Sequence, residues 1–361
     1  MKITFITTIR HNIGDDWVRM GLQFILQKAL KSHKLSFSCV HKHTPITSRI
    51  GFGRLRRLRG LNELLPLRFT GDRILQADWV IQSGAPVYWC HETVGAHCCE
   101  NEWYEPLVRR RINAFRIPFY NIAGGSCQTF HSNGSEVCDR CRNYIREFFD
   151  SCRLTTLRDQ LAAAILHSVG RDAPVLPCTS LFSVDANSPS TVAEDYVAVN
   201  FMPLGGHYTF GQPIDRRKWF QQFASFYAIL KKEHRVVFAC HNAEERRWAK
   251  TIDPQARIFF SANRPEPYIA FYAGAKAGVF NRIHGAFIMA ALGKPSLTVG
   301  VDSRARILQE IGLPTLYVND ATAENMMDIF NGLVRKRLAF ADQMRTIKEQ
   351  TLESYVGLLS S

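Results

Sequence analysis

The chain has 361 residues, of which 46% are hydrophobic and 21% charged, and it carries a formal net charge of +13. That length exceeds one ordinary core and predicts two domains of similar size with the composition of a soluble globular protein. No apolar run approaches the roughly 20 residues of a membrane-spanning helix, and the excess of cations points to anionic partners.

Residues 2–9 alternate and are β-branched, which predicts a first strand rather than an export signal and so a cytoplasmic protein. Asn12-Ile13-Gly14-Asp15-Asp16 makes the turn into a helix over 17–31, with Asp15 or Asp16 placed as its N-cap. A strand over 35–40 precedes a basic stretch, Arg49-Ile50-Gly51-Phe52-Gly53-Arg54-Leu55-Arg56-Arg57-Leu58-Arg59-Gly60. Arginines interleaved with Leu and Phe suit either peripheral contact with an anionic membrane, where a lipid-linked substrate would be met, or a solvated cationic loop. No aromatic stacking motif accompanies them, which argues against nucleic acid.

A strand over 79–82 ends in Ser83-Gly84-Ala85-Pro86, a loop suited to close approach of a ligand. A helix over 104–114, a strand over 117–122 ending in Gly124-Gly125-Ser126, a cysteine-bearing helix over 135–149 and a strand over 154–157 follow. That last strand ends at Arg158-Asp159, again where strand becomes helix. Such alternation describes a doubly wound parallel sheet. The polar, proline-bearing run Asp185-Ala186-Asn187-Ser188-Pro189-Ser190-Thr191 reads as a linker between a first domain, 1–184, and a second, 195–361.

After the linker the pattern restarts: strand 196–201, a Gly205-Gly206-His207 loop, helix 216–231, strand 235–239 ending in Cys240-His241-Asn242, helix 244–250, strand 257–260 and helix 267–273. These lead to Gly278-Val279-Phe280-Asn281-Arg282-Ile283-His284-Gly285, a buried strand, a polar turn and then an apolar helix closed by Gly293 and Pro295. Beyond lie strand 296–299, helix 303–311 carrying Arg304 and Arg306 behind Asp302, strand 315–318 and terminal helices. The fold class is therefore α/β, two Rossmann-like domains facing across a cleft, with no Gly-x-Gly-x-x-Gly fingerprint in either.

Arg282 and His284 stand where open α/β sheets bind ligands, at a strand's carboxyl end and a helix's amino end. An arginine there can equally be an internal salt-bridge partner, and a histidine a cap or core residue. The helix that follows is apolar all round and so buried, which turns the two polar residues toward a pocket.

Ten cysteines without an export signal argue against a disulfide framework. Cys39, Cys178 and Cys240 sit in apolar runs as small buried hydrophobes. Cys127, Cys138, Cys141 and Cys152 are spaced C-x10-C-x2-C-x10-C, a pattern open to a structural zinc, an iron–sulfur cluster or simply buried thiols. Cys90, Cys98, Cys99, His91 and His97 can substitute for one ligand.

Asn12-Ile13-Gly14-Asp15-Asp16, Ala77-Asp78-Trp79-Val80-Ile81-Gln82-Ser83-Gly84, Thr156-Leu157-Arg158-Asp159 and Asn281-Arg282-Ile283-His284-Gly285 with Gly293-Lys294-Pro295 together resemble the polysaccharide pyruvyl transferases. The match is discontinuous but in order along most of the chain, and its last motif is the most specific. The resemblance implies a GT-B-like fold and transfer of the pyruvyl unit of phosphoenolpyruvate to hydroxyls of a glycan or lipid-linked sugar in surface polysaccharide synthesis. It implies that Arg282 holds the donor, that His284 is the general acid and that Arg158 lines the same cleft. Ala162 departs from the family's serine three residues after the Asp.

The chemistry agrees with those roles. Arginine's planar fork suits both a phosphate and a carboxylate, a histidine near neutral pH can protonate the methylene, and no cofactor is required for the transfer. Asn12, Gly14, Asp15, Asp16, Gly84, His241, Arg304 and Arg306 are the expected substrate-binding residues. Two alternatives stand beside this reading: a GT-B glycosyltransferase using a nucleotide sugar, and a cysteine-rich metal or iron–sulfur protein with a drifted transferase cleft.

Overall fold

A computed structural model describes residues 1–8, 12–42, 73–90, 112–135, 137–187 and 195–360. The basic stretch 49–60, most of the helix expected over 104–114, residues 188–191 of the linker, and His91, His97, Cys98 and Cys99 lie outside the described residues.

In the first half, β1 (Lys2–Thr7), β2 (Ser36–His41), β3 (Trp79–Ser83), β4 (Pro86–Tyr88), β5 (Phe119–Ser126) and β6 (Leu154–Leu157) form one parallel sheet in the order β2-β1-β3-β5-β4, with β6 also on β5. β1 is the reversal point, pairing Ile3 with Phe37 on one side and with Trp79 on the other. In the second half, β7 (Tyr196–Val199), β8 (Val236–Ala239), β9 (Arg257–Phe259), β10 (Ala275–Phe280), β11 (Ser296–Gly300) and β12 (Thr315–Tyr317) are ordered β9-β8-β7-β10-β11-β12, all parallel. That is the doubly wound order, and its reversal point lies between β7 and β10. Ligands in such sheets bind outside the strand ends at a reversal point. Here both points, Thr8 beyond β1 and Asn281 beyond β10, open on the same cavity.

Helix α1 (Ile13–Ala29) carries the two halves together. Its apolar residues Trp17, Val18, Leu22, Ile25 and Leu26 recur at three- and four-residue spacing and are fully buried. They join a core cluster that also takes in Tyr268, Tyr272 and Phe287 from the second half, so the interface is a continuous hydrophobic core. Each half has a further core of its own. The last helix crosses back: Tyr355 donates to the Pro177 carbonyl at 3.0 Å and Ser360 to that of Ala29 at 3.1 Å. Polar crossings add to this, among them Gln128 and Ser303, each donating a backbone N–H to the other.

Several local expectations are corrected. Helix α1 begins four residues earlier than expected and its N-cap is Asn12, whose side chain accepts from the Gly14 N–H at 3.1 Å. Asp15 and Asp16 fall in the first turn, where their charge faces the positive end of the helix dipole. Gly124-Gly125-Ser126 forms the last three residues of β5 rather than a loop beyond it, and a Cβ at Gly125 would stand 2.6 Å from Nε of Arg158. Glycine there lets the strand run on past that side chain. Pro86 opens the short strand β4, and 303–311 is a 3-10 helix rather than an α-helix. The cysteine-bearing helix α2 (Asp139–Asp150) starts at Cys138 as N-cap, four residues later than expected from Ser135.

Candidate active site

The cavity between the halves holds about 930 Å³. The first half contributes Thr8, Asn12, Gly14, Asp15, Lys42 and Arg158, and the second His241, Arg282, His284 and Arg304 among others. Of the expected site residues, Asn12, Gly14, Asp15, Arg158, His241, Arg282, His284 and Arg304 are brought together on it. Gly84, Asp16 and Arg306 are not. Gly84 acts through its carbonyl, which accepts from Arg158 at 2.6 Å. Asp16 is buried against Arg19, with which it pairs, and Arg306 donates to the carbonyls of Phe130 (3.2 Å) and Ser132 (2.8 Å), tying the halves together. Each is used up in holding the fold.

The arrangement of charge departs from the sequence expectation. Arg282, expected to be the anion-holding cation, lies against the buried carboxylate of Glu245, with Nε at 2.9 Å and Nη2 closer still, while Nη1 meets His207 Nε2. Glu245 also accepts from the Asn200 side chain at 2.8 Å, the His241 N–H at 2.8 Å and the Asn242 side chain at 3.2 Å. Its charge is thus fully employed in neutralising and orienting Arg282.

Arg158 is different. It is 4% exposed, donates to the Gly84 carbonyl and lies 3.8 Å from Cys178 Sγ, and its Nε has no hydrogen-bond partner among the described residues. It forms no ion pair with a described residue. Its neighbour Asp159 spends its carboxylate on Ser126 N–H and Oγ (both 3.0 Å) and on the Ala162 N–H (2.7 Å), as N-cap of α3 (Gln160–Ser168). A buried guanidinium without a bonded counterion is costly, and an anionic ligand would offset that cost.

His284 is the second residue of helix α7 (Ile283–Ala291), whose residues from Gly285 on are all buried. Its Nδ1 would meet a Cβ on Gly14 at 2.2 Å, so the ring rests on the glycine of α1. Burial first, and then the positive field of Arg158, Arg304, His241 and Arg282, hold its imidazole well below the ordinary histidine range. His241 is lowered likewise, by burial and then by Arg282; it stacks edge-on against Trp17 and Tyr268. Burial and the neighbouring cations therefore both disfavour the charged form of His284. A bound anion would counter the surrounding cations and restore its proton affinity.

The N-cap of α7, Arg282, makes no side-chain cap hydrogen bond. First-turn N–H groups left over in this way carry the positive end of the helix dipole and are a ready anion site. Arg304, by contrast, is neutralised by Asp302 through two contacts at 2.8 and 2.7 Å and lies over the Tyr208 ring.

The cysteines divide otherwise than their spacing implied. Cys127 lines the cavity. Cys152 donates to the Phe148 carbonyl at 3.2 Å, packs in an apolar core and has its thiol pushed up to about 12 by burial. Neither stands with Cys138 and Cys141; the thiol that does is Cys90. Cys90 is among the residues expected to be able to substitute for one ligand, and it reaches the pair because the end of β4 and the start of α2 are adjacent in space. Glu245 was missed, although Asn242 with Glu245 three residues on is a capping-box pattern that marks both.

No protein-family model and no curated protein matches the chain in sequence. Among solved structures, the Neisseria meningitidis UDP-GlcNAc 2-epimerase bound to UDP-GlcNAc superposes with a TM-score of 0.55 at 11% identity, covering 95% of this chain and 94% of that one. The S. aureus MnaA–UDP structure gives 0.54 at 13%, over 95% and 90%. The Methanocaldococcus jannaschii UDP-GlcNAc 2-epimerase, in complex with UDP-GlcNAc and UDP, gives 0.51 at 12%, over 92% and 93%. The shared architecture is the GT-B type, two parallel-sheet halves across a cleft, as the alternation of elements implied.

Proposed function

We propose that the chain is an enzyme that binds a phosphorylated, sugar-linked substrate of the nucleotide-sugar class in this cleft. The observation that carries the reading is the convergence, on one interhalf cavity, of a buried arginine with no bonded carboxylate among the described residues, a helix start without a side-chain cap and a histidine whose charged form is disfavoured. Arg158 and the N-terminus of α7 would hold the phosphate oxygens and stabilise the charge that grows on them as a sugar–phosphate bond breaks. His284 would take or return the proton of the reacting sugar hydroxyl or carbon, at a position braced by Gly14. The volume, about 930 Å³, lies at the upper end of small-molecule sites and leaves room for more than a three-carbon ester. Structures of the same architecture that hold UDP-GlcNAc or UDP lend support.

A second reading, pyruvyl transfer from phosphoenolpyruvate, is favoured by the pairing of Arg158 with His284. An arginine with an unused donor and a histidine whose proton affinity would rise beside an anion are what phosphoenolpyruvate addition requires. Calorimetry with UDP-GlcNAc, UDP and phosphoenolpyruvate separates the two. The nucleotide reading expects UDP and UDP-GlcNAc to bind and phosphoenolpyruvate not to; phosphoenolpyruvate binding, with phosphate released in the presence of a glycan acceptor, favours the second. Failure of all three ligands to bind at millimolar concentration would overturn both.

A further inference from the structure

Sγ atoms of Cys90, Cys138 and Cys141 lie within 4.8 Å of one another, at the junction of the segment after β4 and the start of α2. Cys141 is fully buried, Cys90 nearly so. Two of the sulfurs accept backbone N–H groups: Cys138 Sγ from Cys141 at 3.4 Å, and Cys90 Sγ from Cys138 at 3.5 Å. Such bonds stabilise sulfur in its thiolate form, and Cys138 is also the N-cap of α2, where the helix dipole acts in the same direction. We propose that Cys90, Cys138 and Cys141 bind a zinc ion as three thiolates, leaving the fourth position to a water or a further donor.

The spacing chooses the metal. Tetrahedral zinc with Zn–S bonds of about 2.3 Å places its sulfurs about 3.8 Å apart, inside the observed limit. A four-iron cluster holds each thiolate on a different iron and spreads the sulfurs further. Buried thiolates converging at one point also repel unless a cation sits between them. The site is structural rather than catalytic, since none of the three residues lines the cavity. Its consequence for the cleft is indirect: Cys90 follows Trp89, which does line it, so the ion would anchor that wall to α2.

The test is metal analysis of the reduced, full-length protein purified from zinc-supplemented medium, with cobalt substitution as an independent readout. About one zinc per chain is expected, together with a thiolate-to-cobalt charge-transfer band after exchange. Cys138→Ser with Cys141→Ser should lower zinc content at least about tenfold, whereas Cys152→Ser should retain it. The proposal is overturned if the intact chain takes up no zinc and shows no thiolate–cobalt band, if the double variant keeps its zinc, or if the purified protein carries iron with acid-labile sulfide instead. The cobalt band on the unmutated chain decides the matter even where the double variant does not fold.

Discussion

Replacing Arg158 with methionine separates a binding role from a structural one. Among the described residues its guanidinium makes one carbonyl hydrogen bond, to Gly84, while Nε is left without a partner. Losing a hydrogen bond to a charged group costs about 1.5–3 kcal/mol. Against that, removal relieves the desolvation of a buried cation without a bonded counterion, worth several kcal/mol. With methionine of similar length filling the space, the net change in stability of the ligand-free protein should lie within about 1 kcal/mol of zero or be stabilising. Ligand binding should move the other way. A charge-assisted contact to phosphate worth about 1.5–3 kcal/mol corresponds to a roughly 10- to 150-fold weaker affinity. Urea denaturation reads the first quantity and calorimetry with UDP-GlcNAc the second. If Arg158 were a structural partner of Asp159, the variant would lose about 3–5 kcal/mol with affinity unchanged, and that outcome refutes the reasoning.

Because His284 and His241 have pKa values depressed below the ordinary 6.5, their contribution to stability is complete above that pH. It is lost as pH falls, since the unfolded chain then binds protons the folded one refuses. Ligand-free stability should decline below about pH 6.5 with a slope of up to about 1.4 kcal/mol per pH unit for each histidine, followed by denaturant titration at several pH values, and His284→Gln should flatten it. A slope unchanged in that variant would show that His284 is not the group responsible. At Gly14, where a Cβ would press on Nδ1 and Cγ of His284, alanine should displace the ring at little cost to the helix. Helical glycine-to-alanine exchange itself favours stability by about 0.5–1 kcal/mol. The expected result is an unchanged or higher melting temperature with turnover of the bound ligand reduced at least tenfold, a factor equal to about 1.4 kcal/mol of barrier; undiminished turnover would mean that the ring's position does not matter.

Much of the architecture was legible in the chain because hydrophobic period is a local property. Residues 154–157 carry the signal of a short strand and 285–292 that of a buried helix, and each element forms where that signal lies. The Asn281-Arg282-Ile283-His284 turn was likewise located, since a polar pair before an all-apolar helix has few places to face. Boundaries were less visible where a cap competed: Asn12 and Asp15 are both good N-caps, and only the backbone path decided between them.

What sequence alone determined is the alternation of strand and helix, the doubling into two sheets and the motif at their meeting point, all consequences of interactions within a few residues. Which arginine is neutralised was decided only by tertiary structure. Glu245, 37 residues from Arg282 along the chain, reaches it because β8 and β10 flank β7 and their ends converge. Arg158 meets the carbonyl of Gly84, between β3 and β4, and runs past Gly125 of β5, while the carboxylate next to it in the chain, that of Asp159, is bonded by Ser126 and Ala162. In the same way Cys90 joins Cys138 and Cys141 through a strand end meeting a helix start. Charge balance and ligand geometry depend on distances of a few ångströms between residues far apart in the chain, and no local pattern encodes them.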